Sequence, residues 1–306
     1  MPAHLLSIAD LEEGQLESIL DLALELQERP AAHRSALHGK SIGLYFEKSS
    51  TRTRVSFEVG MGQLGGQAVF LSTRDLQIGR GETIADTARV LSRYVDLLML
   101  RTFEHGTVVE MAEHARVPVI NGLTDELHPC QALADLMTIR QEFGDLRGRR
   151  ISYIGDGNNV AHSLMIACAR GGLDFSIASP PGYEIADKYL ELARQLAADT
   201  GAGIETGADP HTAAAGAHAV YSDVWTSMGQ EKEREQRLAD FEGYTVDDDL
   251  MARARSDAIY LHCLPCHRGE EVTASVVDGP QSRVFDQAEN RMHTQKALML
   301  RLLDRA

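Results

Sequence analysis

The sequence predicts an α/β fold with two doubly wound parallel-sheet domains joined by interdomain helices. Three observations carry this. Short apolar runs alternate with longer helix-periodic runs along the chain, as parallel sheets with crossover helices require. The rhythm restarts after a polar link, "DLRGRR", with a strand–glycine–helix unit, "ISYIGDGNNVAHSLMIACARGG". A length of 306 residues with 43% apolar composition suffices for two cores of ordinary size.

The elements follow in order. The first stretch, "MPAHLLSIADLEEGQLESILDLALEL", reads as an amphipathic helix after a polar entry. "KSIGLYF" (40–46) is a short apolar strand, and "RTRVSFEVGMGQLGG" a helix that ends in glycines. "QAVFLS" (67–72) is a strand, "TIADTARVLSRY" (83–94) a helix, and "DLLMLR" (96–101) a strand. "GTVVEMAEHA" is a helix, "VPVING" (117–122) a strand, and "HPCQALADLMTIRQEFG" (128–144) a long helix. In the second half, "DFSIASP" is a strand and "EIADKYLELARQLAADTG" (184–201) a helix. "HAVYSDVW" is a strand ending at Trp225, followed by a charged loop from Thr226 to about Asp240. "DAIYLHCLP" is a further strand and "AENRMHTQKALMLRLLDRA" a closing helix. The expected domains are residues 1–145 and 146–285, with 286–306 packing back on the first.

Composition narrows the partners. A net charge of −15 disfavours nucleic acid, whose phosphates need a basic face, but allows a small anion in a local basic pocket. The first residues lack the basic and apolar regions of a signal peptide, and no apolar run reaches the ~18 residues of a membrane span. Four cysteines, Cys130, Cys168, Cys263 and Cys266, are sparse usage that fits a reducing, cytoplasmic setting.

Ligands of open α/β sheets sit at the carboxyl ends of strands. Behind the first strand stands "SSTRTR" (49–54), opening a helix. Free N–H groups at a helix start, hydroxyls from Ser50, Thr51 and Thr53, and the guanidinium forks of Arg52 and Arg54 suit a phosphate. A solvated helix cap is the plainer reading of the same residues. Arg101 ends another strand. His128, before Pro129 at a helix start, is followed one turn later by Gln131. "GDGNNVAHS" (155–163) is a strand–glycine–helix turn but not a dinucleotide fingerprint, and Asn158 and Asn159 offer neutral amides. Asp223 sits near the end of "HAVYSDVW", and "TSMGQE" (226–231) has the small central residue of a hinge.

The run "HCLPCH" (262–267) contains the spacing of a haem attachment site, a redox dithiol or half a zinc site. Haem attachment requires export. A structural zinc site needs a second ligand pair, which the isolated Cys130 and Cys168 do not form. Redox dithiols open helices near chain starts, whereas this one follows a strand near the end.

Together "SSTRTR", "HPCQALAD", "DVWTSMGQE" and "HCLP" resemble the carbamoyltransferases in order and spacing, the last two pointing to the ornithine branch. The resemblance spans essentially the whole chain. It implies transfer of the carbamoyl group of carbamoyl phosphate to L-ornithine, giving L-citrulline and phosphate, without metal or organic cofactor. By carry-over, Ser50, Thr51, Arg52, Thr53, Gln77, Arg101, His128, Gln131 and Arg291 bind carbamoyl phosphate. Arg54 is expected to support that site from behind or to touch the phosphate. Asn159, Asp223, Ser227 and Met228 match the ornithine pocket. Cys263 and Leu264 match the loop between the two substrates, and Cys263, Asp223, His128 and Arg101 are the expected catalytic set. The family also implies a homotrimer or an assembly of trimers. Cys266 departs from the pattern, where a small non-cysteine residue is expected. Aspartate, acetylornithine, putrescine or lysine as acceptor, and a carbamoyl-phosphate-binding subunit without catalysis, are the alternatives.

Overall fold

The computed structural model describes residues 1–73, 81–227 and 229–304. The chain divides into two compact units, Met1–Met137 with Glu289–Ala306, and Thr138–Ala288. Both breaks fall inside helices, so two helices run from one unit into the other.

The first unit holds α1 (Gln15–Glu28), β1 (Ser41–Phe46), α2 (Thr51–Gln63), β2 (Gln67–Ser72), α3 (Ile84–Leu91), β3 (Leu97–Arg101), α4 (His105–His114) and β4 (Val119–Leu123). α5 (Pro129–Phe143) begins here. Its sheet has the order β2-β1-β3-β4 and every pairing is parallel. β3 and β4 are buried at every position, as strands covered on both faces must be. Edge strand β2 instead leaves Val69 and Phe70 exposed. The chain runs from β1 outward to β2, then returns to β3 on the other side. The switch point therefore lies at the carboxyl ends of β1 and β3, where "SSTRTR" and Arg101 stand. A register shift in the β3–β4 pairing falls at Leu100/Arg101, opposite Gly122. A Cβ at Gly122 would lie 2.3 Å from Met99 Sδ, so the close approach requires glycine.

The second unit holds β5 (Arg150–Ile154), α6 (Asn159–Gly171), β6 (Asp174–Ala178), α7 (Asp187–Thr200), β7 (Ile204–Gly207), α8 (Pro210–Ala214) and β8 (Ala219–Ser222). α9 (Arg234–Asp240), α10 (Asp248–Met251), β9 (Ile259–Leu261) and α11 (Ala274–Val277) follow, and α12 (Val284–Leu302) closes the chain. The parallel sheet has the order β7-β6-β5-β8-β9. Its switch point lies between β5 and β8, with the "GDGNN" turn on one side and Asp223 on the other. α6 is apolar nearly all round and almost wholly buried, as such a helix must be. In the turn before it, a Cβ at Gly157 would lie 2.4 Å from the Ile185 backbone nitrogen, so only glycine fits.

The two-domain parallel α/β class is the one observed. Several elements differ from the sequence reading. The first helix starts at Gln15, and the residues before it add a parallel bridge from Leu5 to Ile120 on β4. The segment read as a charged loop from Thr226 to Asp240 contains a short 3-10 turn, Glu231–Glu233, and then α9. β8 stops at Ser222, which leaves Asp223 just beyond the sheet. The closing helix begins four residues earlier than read, and β7, α8, α10 and α11 are short elements that the periodicity did not resolve.

Candidate active site

In the first unit the site grows from the start of α2. Ser50, extended, caps that helix by accepting from the Thr53 N–H at 3.2 Å. Thr51 and Arg52 are exposed on the first turn, while Thr53 is buried. Thr53 Oγ1 accepts from Arg291 Nη2 at 3.3 Å, and Arg291 Nη1 donates to Gln131 Oε1 at 2.6 Å. Gln131 Nε2 in turn donates to Asp135 Oδ1 at 2.8 Å. This buried chain of hydrogen bonds fixes Gln131 on α5 and Arg291 on α12. Arg54 forms an ion pair with Glu58 and stacks 3.8 Å over the Phe70 ring.

His128 precedes α5 and is buried. Burial holds its pKa well below the ordinary imidazole value, and the guanidinium charges of Arg291, Arg101 and Arg52 push it further down. The ring is therefore a neutral hydrogen-bonding group among cations. Such a setting suits an anion with a carbonyl beside it. Cys130, two residues on, is structural: its thiol donates to the Asn121 carbonyl at 3.4 Å, and burial pushes its pKa up to about 11.

In the second unit the centre is Asp223, buried one residue past β8. Cys263 Sγ donates to Asp223 Oδ1 at 3.0 Å, and Asn158 Nδ2 donates to Asp223 Oδ2 at 2.9 Å. Asn158 also caps α6, accepting from the Val160 and Ala161 N–H groups, and takes the Tyr153 hydroxyl at 3.2 Å. Asn159, which the carry-over places in the ornithine pocket, is the first residue of α6, directly after this cap. The preference of Asn for N-caps was the available signal.

The Cys263 loop is held from behind. His262 Nδ1 accepts the Leu264 N–H at 2.9 Å, so its proton sits on Nε2, which donates to Glu271 Oε1 at 3.1 Å. The His262 N–H donates to Gln287 Oε1, and Gln287 Nε2 to the Tyr221 hydroxyl. Leu264 has φ 58, a region that branched side chains rarely enter. Sequence reasoning missed Glu271 because an acidic pair in a charged run reads as surface.

It also missed Arg237. This side chain on α9 is buried and donates to Asp156 at 2.7 Å and to the Trp225 carbonyl at 2.9 Å through Nη1, and to Glu233 at 3.1 Å through Nε. One guanidinium thus ties down both ends of the span that carries Ser227. Ser227 is half-buried and its N–H donates to Gln230 Oε1 at 3.0 Å. Gln77 and Met228 lie outside the described residues.

Two groups of metal-capable side chains occur among the described residues: Asp223, His262 and Cys263, and His267, Glu270 and Glu271. In the first, both His262 nitrogens are already hydrogen-bonded, which opposes a metal there.

Two family models cover these units. Residues 3–141 match the aspartate/ornithine carbamoyltransferase carbamoyl-P binding domain, and residues 147–302 the Asp/Orn binding domain. The chain belongs to the aspartate/ornithine carbamoyltransferase family. It is 56% identical to an ornithine carbamoyltransferase of Bacillus subtilis (strain 168) over 299 residues, 98% of this chain and 93% of that protein. Over 97% of this chain and 96% of the other, it superposes with a TM-score of 0.93 on the ornithine carbamoyltransferase from Pyrococcus furiosus, at 51% identity. An acetylornithine transcarbamylase complexed with acetylcitrulline is also similar, with a TM-score of 0.87 at 34% identity, over 98% of each chain. The carbamoyl-P model covers Arg52, Arg101 and His128, and the Asp/Orn model covers Asp223, Cys263 and Arg291.

The His128 environment predicts a pH response. Because its folded-state pKa is depressed, its contribution to stability is full above the unfolded value near 6.5 and is lost as pH falls through the folded value. A histidine NMR titration of the free enzyme should show one ring, removed in His128→Asn, that stays neutral where the exposed rings protonate. A His128 resonance titrating at the ordinary value would contradict the cationic enclosure.

Proposed function

We propose that this carbamoyltransferase transfers the carbamoyl group of carbamoyl phosphate to the side-chain amine of L-ornithine, forming L-citrulline and phosphate, a step of arginine biosynthesis. The hydrogen bond from Cys263 to Asp223 carries the reading, because it sets a carboxylate and a thiol together where an amine must be held and deprotonated. The identity to ornithine carbamoyltransferases over nearly the whole chain supports the same acceptor.

Ornithine's side-chain amine resembles that of lysine, with a pKa of about 10.4, and arrives as an ammonium ion. Asp223, oriented by Asn158, pairs with that ion; Cys263 gives up its own proton to solvent, and the resulting thiolate accepts one proton from the ammonium and returns to the thiol. The free amine then attacks the carbonyl carbon of carbamoyl phosphate. Charge develops on the carbonyl oxygen, where Arg101, His128 and Thr53 donate. A single donor of this kind typically lowers the barrier by about 2.7–4 kcal/mol. Phosphate departs into the cradle of Ser50, Thr51, Arg52 and Thr53, with Gln131 and Arg291 completing the anion site and Gln77 assigned to the same phosphate. Leu264 backs the carbamoyl group. Asn159, Ser227 and Met228 are assigned to the amino-acid end of ornithine. The chemistry assigns one substrate to each unit, residues 1–145 with 286–306 for carbamoyl phosphate and 146–285 for ornithine.

The enzyme is proposed to work in the cytoplasm as a homotrimer or an assembly of trimers. The four free cysteines fit a reducing compartment. Among the described residues, no helix is long and apolar enough to cross a membrane. Exposed Val55 and Val59 on α2, with Val69 and Phe70 on edge strand β2, supply an apolar face for another copy.

Acceptor identity is tested by colorimetric detection of carbamoylated product with ornithine, acetylornithine, putrescine, lysine and aspartate in parallel. Ornithine should give the highest kcat/KM. Product from aspartate or acetylornithine at equal or greater efficiency would reassign the second unit's substrate.

The two cysteines should differ sharply. Cys263→Ala should lower kcat about 10²-fold or more and alter its pH profile, since it removes a proton-handling group. Cys266→Ala should be nearly silent, because Cys266 accepts from Arg268 Nη1 at 3.7 Å and packs against the second unit's apolar core, with no role in the transfer chemistry. Equal losses in the two variants would contradict the role given to Cys263.

A further inference from the structure

The run after the Cys263 loop, His267-Arg268-Gly269-Glu270-Glu271, has no part in the transfer chemistry beyond the support that Glu271 gives to His262. Glu271 is wholly buried. Its Oε1 accepts from His262 Nε2 and from the His267 N–H at 2.6 Å. Its Oε2 is also buried and has no hydrogen-bond partner among the described residues. His262 Nδ1 accepts the Leu264 N–H, so both ring nitrogens are engaged and neither reaches Oε2. A buried carboxylate oxygen in this state is costly unless a cation or donor reaches it.

The group facing Oε2 is His267 Nδ1, 3.9 Å away, and the same nitrogen lies 3.7 Å from Glu270 Oε2. Glu270 turns its Oε1 to Arg234, which leaves Oε2 for the cluster. Gly269, at φ 90, turns the chain so that residues 267, 270 and 271 converge, with three ligand atoms within 4.8 Å of one another.

We propose that His267 Nδ1, Glu270 Oε2 and Glu271 Oε2 form a binding site for a divalent transition-metal ion of the zinc class, distinct from Cys263. One imidazole and two carboxylates match that ion's borderline ligand preference and cancel its charge. Ligands at zinc distances stand about 3.3 Å apart around a tetrahedral ion, so atoms that now lie within 4.8 Å of one another close by at most about 1.5 Å. His267 is half-exposed, which gives the ion a route in and leaves its fourth position to water. The ion would supply the counter-charge that Glu271 Oε2 lacks and would brace His262 and the loop that carries Cys263 and Leu264.

The test uses metal-free full-length protein titrated calorimetrically with Zn²⁺, and with Co²⁺ followed by absorption. Parent, Cys263→Ser, His267→Ala and the double variant are compared. Cys263→Ser should retain one saturable equivalent with visible cobalt bands and no thiolate charge-transfer band, and its thermal midpoint should rise with Zn²⁺. The double variant should lose that equivalent, and metal-free His267→Ala should keep the parent's activity. Glu270→Gln in the Cys263→Ser background, which preserves shape, should weaken the same binding and guards against misfolding of His267→Ala. Loss of all saturable binding in folded Cys263→Ser would overturn the site. So would a thiolate band in its cobalt spectrum, or binding indifferent to His267→Ala and Glu270→Gln.

Discussion

A neutral imidazole enclosed by guanidinium charge is the constraint on which the first unit's site depends. Burial and the charges of Arg291, Arg101 and Arg52 all act against protonation of His128. Positive charge gathered in this way around a buried group is unfavourable by itself and becomes favourable when an anion enters. The fold holds it in place with rigid parts. Arg101 ends β3 at a register shift, and Arg291 is tied to Thr53 and Gln131 by hydrogen bonds. Under the proposed function, a site held in this way is preorganised for phosphate, and little reorganisation remains when charge develops in the reaction.

The second unit solves the opposite problem with the same kind of framework. Under the proposed function Asp223 supplies negative charge for a cationic amine, and its two oxygens are oriented by Cys263 and Asn158. Behind them, His262, Glu271, Gln287 and Tyr221 form a supporting hydrogen-bonded set. Arg237 fixes the flanking span through Asp156, Trp225 and Glu233. Burial raises the pKa of Asp156, and the Arg237 guanidinium opposes that rise, which keeps this anchor charged more readily than burial alone would allow.

Much of this was legible in the sequence, because groups at strand ends are placed by topology alone. "SSTRTR", Arg101, His128 and Asp223 each stand at or after the end of a strand whose apolar run is easily read; "SSTRTR", Arg101 and Asp223 lie at the two switch points, and His128 follows the neighbouring strand β4. The supporting groups were not legible. Arg237 sits in "EKEREQRLAD", whose charge suggests a solvated loop, yet it is buried by partners distant in sequence. Glu271 sits beside Glu270 in a polar run, and only the turn at Gly269 sends one inward and leaves the other half-exposed. Asn158 and Asn159 are indistinguishable by type, and the helix start decides that Asn158 is the cap that also bonds Asp223. The early residues carry a helical pattern, but Leu5 gains backbone hydrogen bonds by pairing with β4 instead.

The proposed function requires the first unit to bind carbamoyl phosphate through its cationic cluster, independently of the amine. Calorimetric titration of carbamoyl phosphate into parent and Arg52→Ala proteins, with ornithine absent, tests it most directly. The parent should bind one equivalent per chain, and Arg52→Ala should bind at least about tenfold more weakly, a loss of ~1.4 kcal/mol, with its fold intact by circular dichroism. Equal affinity in the two proteins, or no binding to the parent until ornithine is added, would contradict the account.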